Sequence, residues 1–321
     1  QNGTIGEVPE PAVGAHDVLI QVDAASVNPL DSKIRSGAFK PILPYAMPLV
    51  LGNDLAGIVL RVGAAVTRFK PGDEVYARPP ETRIGTFAER IAVHQDALAL
   101  KPANLDMTEA ASIPLSALTA WQVLVTSAQL TPGQKVLIHA GSGGVGTLAI
   151  QLAKHLGAYV ATTTSNANVE WLKALGADRV IDYTREDFAS ELRDYDVVLN
   201  SLGADVLEQS IKVLKPGGQL ISISGPPTAA FAQEQGLSWG LRQVMRLLSS
   251  GIRRKARKQG VSYRFLFMRA DGAQLQSIAA LIESGAIKPV IDRTFPFQQT
   301  ADALSYVEQG RAKGKVVVTI S

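Results

Sequence analysis

The sequence predicts an α/β protein: a β-rich first third followed by a doubly wound parallel sheet. Three observations predict this. Residues 135–224 alternate apolar runs with helical patterns. The first third carries short alternating segments punctuated by Gly and Pro. A glycine-rich turn stands where the first apolar run meets its helix. With 321 residues the chain is long enough for two domains of about 100–200 residues each.

In the first third, Asp17–Asp23 (DVLIQVD) alternates apolar and polar residues, as a half-buried strand does. Ala56–Val62 reads as a second strand, and Glu74–Ala77 follows the turn chemistry of Pro71-Gly72-Asp73. Phe87–Val93 alternates again. Met107–Ser127 is rich in Ala and Leu and reads as helix, interrupted near Pro114.

A regular alternation follows. Lys135–Ala140, Tyr159–Thr163, Arg179–Asp182, Asp196–Asn200 and Gln219–Ser224 read as strands. Val145–Leu156, Val169–Leu175 and Leu207–Leu214 read as helices, the second closed by Gly176 and the third by Pro216-Gly217-Gly218. Continuous apolar strands alternating with helices imply a parallel sheet covered on both faces. Arg264–Met268 is the candidate last strand of that sheet, Gln274–Glu283 is an amphipathic helix, and Lys315–Ile320 returns to strand. The charge run Arg253–Lys258 follows a helix-like stretch, Leu241–Leu248, and reads as a solvated helix end.

Composition narrows the function classes. The chain has no cysteine, which removes disulfides and every thiolate-ligated zinc site. That fits a reducing compartment, and cytoplasmic residence is the expectation. The chain opens at Gln1 and not at Met, which leaves the native start open. No apolar run approaches the roughly 20 residues that span a bilayer, so no membrane span is expected. A net charge of +3 is too small to argue for a nucleic-acid partner.

Gly141-Ser142-Gly143-Gly144-Val145-Gly146 holds G-x-G-x-x-G directly between a strand and a helix, the context the dinucleotide fingerprint requires. Gly141 permits the tight turn and Gly143 lets the backbone approach a pyrophosphate. Gly146 lets helix and strand pack closely, and the helix N-terminus offers free N–H groups to the anion. The alternative is a connection with no ligand. NAD sites carry an acid about 20 residues further on. Here Thr164 and Ser165 stand in that region, and the next acid, Glu170, already lies in the following helix. A carboxylate would repel a 2′-phosphate, so the hydroxyl residues favour NADP(H). Tyr183, or a base from Arg179 or Arg185, has to complete the site. Ser224 and Gly225, at the carboxyl end of a parallel strand, are placed to meet the nicotinamide carboxamide.

These features resemble the medium-chain dehydrogenase/reductase superfamily, in its zinc-independent quinone oxidoreductase and enone reductase branch. The likeness rests on Ser26–Asp31 with Arg35-Ser36-Gly37, Gly52–Gly57, Lys70–Tyr76, Ala140–Gly146, Leu175–Asp178 and Gly310–Val317. It implies a GroES-like β-rich substrate domain from residues 1–116 and 270–321, and a Rossmann NADP-binding domain from 117–269. It also implies an active-site cleft and a homodimer formed through the cofactor domain. Zinc-dependent relatives carry Cys where Asn28 stands, His where Asn53 stands and Cys near Leu115, so no metal is expected. His16, His94, His139 and His155 show no metal-ligand spacing.

By motif position, Asn28 is expected at the nicotinamide ribose and the reacting carbonyl, or else as a cap before Pro29. Lys33 stands where plant enone reductases of the branch carry Lys. It either hydrogen-bonds the substrate oxygen and supplies a proton, or is an exposed surface lysine. Asp31 reads as structural. Tyr45 and Phe39 line the pocket or pack a lid. Thr119 matches a position that contacts nicotinamide. Phe267 and Met268 border the cofactor or pack the core, and Lys313 and Lys315 reach the cofactor or flank the last strand. The branch often has a basic residue near Ala167, which is missing here, and many quinone reductases have Tyr where Lys33 stands. The expected reaction is hydride transfer from NADPH to a quinone or an α,β-unsaturated carbonyl. The rivals are an enoyl-thioester reductase on the same fold and a non-catalytic NADPH-binding protein of the lens-crystallin kind.

Overall fold

In a computed structural model, the described residues are 4–38, 40 and 45–320. The expectation for Phe39 therefore lies outside them. They form β1 (Asp17–Val27), β2 (Leu55–Val62), β3 (Glu74–Ala77), β4 (Arg90–His94), β5 (Leu98–Leu100), β6 (Lys135–Ile138) and β7 (Tyr159–Thr164). Then come β8 (Arg179–Asp182), β9 (Tyr195–Asn200), β10 (Leu214–Ser222), β11 (Ser262–Phe265), β12 (Ile291–Pro296) and β13 (Lys315–Thr319). The chain divides into two compact units, one reaching Leu118 and resuming at Arg269, the other Thr119–Met268.

The first unit holds a sheet of order β12-β13-β1-β2-β3-β5, with β4 also on β1. Its central strand β1 carries register shifts at Leu19/Ile20 and Val22/Ala24. These irregularities bend it, so Asp17–Gln21 pairs with β4 while Ala24–Val27 pairs with β13. Val18, Ile20 and Val22 alternate into a core with Leu55, Val59 and Val75, all at most 1% exposed. The register has a local consequence. Ala25 faces Leu55 and Val27 faces Val316, so the residues just beyond those pairs, Asp54 and Lys315, meet Ser26 and Asn28.

The second unit is a parallel sheet of order β8-β7-β6-β9-β10-β11. Counted along the chain this is 3-2-1-4-5-6, the doubly wound order whose direction of winding reverses between β6 and β9. Val136, Leu137 and Ile138 are all 0% exposed, which means both faces of β6 are covered. That is why the run has no polar alternation. On one face Leu137, Ala161, Ile181, Val198 and Leu220 pack against Leu207 and Ile211 of the helix Ala204–Val213.

Several boundaries differ from the sequence reading. β4 starts at Arg90, three residues late, and Met107–Ser127 splits into Met107–Ala111, Pro114–Trp121 and a π-helical turn Gln122–Ser127. Pro216-Gly217-Gly218 lies within β10: Leu214 already pairs with Tyr195, and a register shift absorbs the turn before Gln219. β11 ends at Phe265, so Phe267 and Met268 follow the strand and do not belong to it. Arg253–Lys258 belongs to a helix of its own, Ser250–Lys258.

Candidate functional site

The first group of site residues stands at the carboxyl end of β6. Ala140 has φ +53°, the left-handed region that an alanine adopts only at a cost. The left-handed residue of the turn is thus Ala140. Gly141 is needed for space, because a Cβ there would lie 2.0 Å from Thr162 Oγ1 on β7. Gly146 is needed for the same reason, since its Cβ would lie 2.4 Å from the Ala140 carbonyl oxygen and 2.7 Å from Gly141 Cα. Gly143 is different. The nearest atom to a Cβ there is 3.4 Å away, so nothing in the turn itself requires its missing side chain.

The helix Gly144–His155 begins here with Gly143 as an N-cap that has no capping side chain. Its first backbone bond runs from Thr147 N–H to the Gly143 carbonyl at 3.0 Å. The N–H groups of Gly144, Val145 and Gly146 therefore have no acceptor within the helix, and with the helix dipole they make an anion site. Ser142 and Thr164 tie the turn to the end of β7, with Thr164 Oγ1 donating to Ser142 Oγ at 3.3 Å. Thr164 is 2% exposed, Ser165 is half-buried and accepts from Asn168 Nδ2, and Tyr183 is 62% exposed. Tyr183 N–H donates to the Thr164 carbonyl at 3.1 Å, so the three stand together. Arg179 is held by Glu186 at 2.6 Å and Glu191 at 3.5 Å. Arg185 is exposed, with Nε 3.8 Å from Asp182. Asp182 turns one oxygen into the Thr184 N–H and hydroxyl, and those bonds hold its carboxyl below the usual range.

His139, just before the turn, is 1% exposed. Ser210 Oγ donates to the Val206 carbonyl, so it accepts from His139 Nε2–H at 2.9 Å, and Nδ1 accepts from Thr163 Oγ1 at 3.1 Å. The ring is thus a neutral Nε2–H imidazole. Burial pushes its pKa down to about 3 from 6.5. Between these values the unfolded chain binds the proton and the native one does not, so stability falls as pH drops from 6.5 toward 3. The expected loss is on the order of 4 kcal/mol. Urea unfolding between those pH values measures it, and His139→Asn should flatten the acid slope.

The second group lies in the other unit. Asn28, Asp31, Asn53, Asp54 and Lys315 are each at most 4% exposed. Asp54 accepts from Ser26 Oγ (2.8 Å), Asn28 Nδ2 (2.8 Å), Leu115 N–H (2.6 Å) and Lys315 Nζ (3.2 Å). Lys315 Nζ also donates to Asn28 Oδ1 at 2.6 Å. Asp31 accepts from Asn28 N–H and Asn53 Nδ2, both at 2.7 Å. Burial pushes the Asp31 carboxyl up to about 6 against those two bonds. Asn53 Oδ1 is buried without a partner.

The Asn28 amide donates to Asp54 and to the Ser26 carbonyl (3.3 Å), so both of its hydrogens are committed in this structure. Lys33 lies on the helix Pro29–Arg35 with an exposed side chain, so it is not a desolvated proton donor in this structure. Tyr45 is half-buried and its hydroxyl donates to the Glu81 carbonyl at 2.6 Å. Its pKa is raised by burial.

In the parallel-sheet unit, Ser224 is exposed and its hydroxyl donates to the Leu202 carbonyl, while Gly225 N–H donates to Ser222 Oγ at 2.8 Å. Thr119 and Met268 are buried, and Phe267 sits with its ring 6.1 Å from that of Phe231. Lys313 is exposed, while Lys315 is the lysine at the polar cluster. The sequence reading missed Asp54 and Lys315 as the centre of that cluster. The available signal was a Lys opening the otherwise apolar strand KVVVT and an Asp inside the glycine-bounded segment Gly52–Gly57.

Residues 14–103 match the family described as alcohol dehydrogenase GroES-like domain, and residues 175–318 the family described as zinc-binding dehydrogenase. The chain is 38% identical over 318 residues to the chloroplastic NADPH-dependent alkenal/one oxidoreductase of Arabidopsis thaliana, covering 96% of this chain and 73% of that one. It is 38% identical over 329 residues to the mitochondrial NAD(P)H oxidoreductase RTN4IP1 of Mus musculus, covering 95% and 82%. The structure of the quinone oxidoreductase from Coxiella burnetii superposes with a TM-score of 0.83 at 32% identity, covering 98% of this chain and 93% of that one. The chain belongs to the medium-chain dehydrogenase/reductase superfamily, in its quinone and enone reductase branch.

The second family description carries zinc, and the residues here do not fit that ion. Asn28 and Asn53 offer amides, Leu115 offers no side-chain donor, and the Lys315 ammonium already sits on Asn28 Oδ1. Among the described residues no group of three or more His, Cys, Asp or Glu gathers as a metal site. No helix there is long and apolar enough to cross a membrane.

Proposed function

We propose that this chain is an NADPH-dependent reductase that delivers hydride, without zinc, to quinones and to the β-carbon of α,β-unsaturated carbonyl compounds. The carrying observation is the turn after β6. It opens three helix N–H groups at the switch point of the sheet, and Thr164 stands at the end of β7 where an acid would select NAD. The relatives named above support the substrate class.

When bound, NADPH supplies the hydride. The N–H groups of Gly144, Val145 and Gly146 meet the pyrophosphate, and Gly143 leaves room for it. Thr164, Ser165 and Tyr183 hold the 2′-phosphate, with Arg185 as counter-charge. Thr119, Ser224, Gly225, Phe267, Met268 and Lys313 serve the nicotinamide end. Asn28 acts as a positioning residue through Asp54 and Lys315. Lys33, in no ion pair among the described residues, donates to the substrate oxygen as negative charge develops there, and Tyr45 borders the substrate.

Lys33→Met is expected to lower kcat about a hundredfold and to leave NADPH affinity unchanged. Stopped-flow NADPH oxidation and NADPH titration check the two halves. The function itself is tested by NADPH consumption with 1,2-naphthoquinone, simple enones and an enoyl-CoA. Turnover of the first two is expected. Turnover of the enoyl-CoA alone would move the reading to a thioester reductase, and binding without turnover to a non-catalytic protein. Cytoplasmic residence and a homodimer belong to the same proposal. The two relatives carry organelle names, so fractionation of cells tests the first and light scattering the second.

A further inference from the structure

The segment Gln235–Ala270 contains nine Lys and Arg and no Asp or Glu, so the rest of the chain carries a net charge of −6 against +3 for the whole. Within it, the helices Trp239–Leu248 and Ser250–Lys258 are separated by Ser249 alone, whose backbone remains right-handed helical. The Ser249 hydroxyl donates to the Met245 carbonyl at 2.8 Å and its N–H to the same oxygen at 3.1 Å. Backbone bonding continues through it, with Arg253 N–H donating to the Ser249 carbonyl. The buried positions Met245, Ser249, Ile252 and Ala256 fall at i, i+4, i+7 and i+11, a single helical face turned to the unit's interior.

The outer face changes along its length, from mostly apolar side chains with one exposed cation, Arg246, to a run of cations. Its first half bears Trp239 (75% exposed), Val244 (50%), Leu247 (73%) and Leu248 (60%). Val244, Leu247 and Leu248 are spaced i, i+3, i+4 and form one apolar ridge. Its second half bears Arg254, Arg257 and Lys258, all exposed and none in an ion pair among the described residues, with Lys255 beside them paired to Glu208.

We propose that this helical arm binds the surface of an anionic phospholipid bilayer, with the Trp239–Leu248 ridge entering the headgroup boundary and the Arg254–Lys258 half meeting lipid phosphates and carboxylates. An apolar face with an exposed Trp, continued by uncompensated cations, is the composition of an interfacial helix. The charge selects among occupants. A second copy docked by two-fold symmetry would set this cationic arm against its twin. A nucleic acid would satisfy the cations but offer nothing to the leucines.

The test is co-sedimentation of the full chain with vesicles of phosphatidylcholine alone and with about one third phosphatidylserine. Binding to the second only, weakened by salt, is expected. Trp fluorescence should shift to the blue on binding, and the shift should vanish in Trp239→Phe. Arg254→Glu/Arg257→Glu/Lys258→Glu should weaken binding at least tenfold, as should Leu247→Ser/Leu248→Ser. Both sets lie on exposed positions and should leave NADPH turnover unchanged. Equal binding to both vesicle types, no binding at low salt, or full binding by either multiple variant overturns the proposal. So does tight duplex binding indifferent to Leu247 and Leu248, or a dimer that Leu247→Ser dissociates.

Discussion

Gly143→Ala should weaken NADPH binding at least tenfold while leaving the protein as stable as the wild type. The two effects separate because nothing in the turn lies closer than 3.4 Å to the added carbon, and Gly143 has an ordinary negative φ of −82°. The methyl instead meets whatever approaches the helix N-terminus. Gly146→Ala should do both kinds of damage. Its Cβ collides with three backbone atoms, at 2.4, 2.7 and 2.8 Å, and none can swing away as a side chain would. The turn must open and the three N–H groups lose their convergence. NADPH binding should fall at least a hundredfold, a loss of about 2.7 kcal/mol or more, and the melting temperature should fall with it. Calorimetric titration and thermal unfolding measure the pair. If Gly143→Ala binds NADPH as the wild type does, the pyrophosphate is not carried on this turn.

Lys315→Met should strongly destabilise the β-rich unit. Lys315 is 4% exposed and Asp54 0%. The ammonium is the only cation among the described partners of Asp54, whose other donors are Ser26, Asn28 and the Leu115 N–H. Removing it leaves a buried carboxylate beside the Asp31 carboxyl, for an expected cost of about 3–5 kcal/mol. Adding Asp54→Asn in the same chain removes the orphaned charge and should recover more than half of that. Non-additivity of this kind identifies a true pair. Urea denaturation of the four chains gives the cycle, and a loss under about 1 kcal/mol for Lys315→Met would mean the pair contributes as little as a solvent-exposed one.

The parallel sheet was legible because its physics is local. Buried strands covered on both faces must be short apolar runs, and Arg179–Asp182 and Glu74–Ala77 are strands with the bounds their residues suggest. The glycine turn was legible for the same reason, although the left-handed residue is Ala140, a type that gives no such signal. β12 was not legible: Ile291–Pro296 carries Asp, Arg and Thr on a half-exposed edge strand and ends in Pro, so no alternation marks it. The polar cluster was legible only in part. Asn28 stood out by motif, but Asp54 and Lys315 reach it through the bend of β1, which brings the starts of β2 and β13 to the end of that strand from 26 and 287 residues away. No local pattern encodes that register. The amphipathic arm shows the opposite case. Its cations were plain in the sequence, but the exposure of Trp239, Leu247 and Leu248 was visible only in the fold.

The central claim is hydride delivery from NADPH to an activated carbonyl substrate with no metal taking part. NADPH deuterated at the transferable C4 position, incubated with the protein and a simple enone in chelator-treated buffer, addresses it in a single product analysis. One deuterium at the β-carbon of the saturated ketone is the expected result. Unlabelled product, or turnover that appears only when zinc is restored, would contradict it.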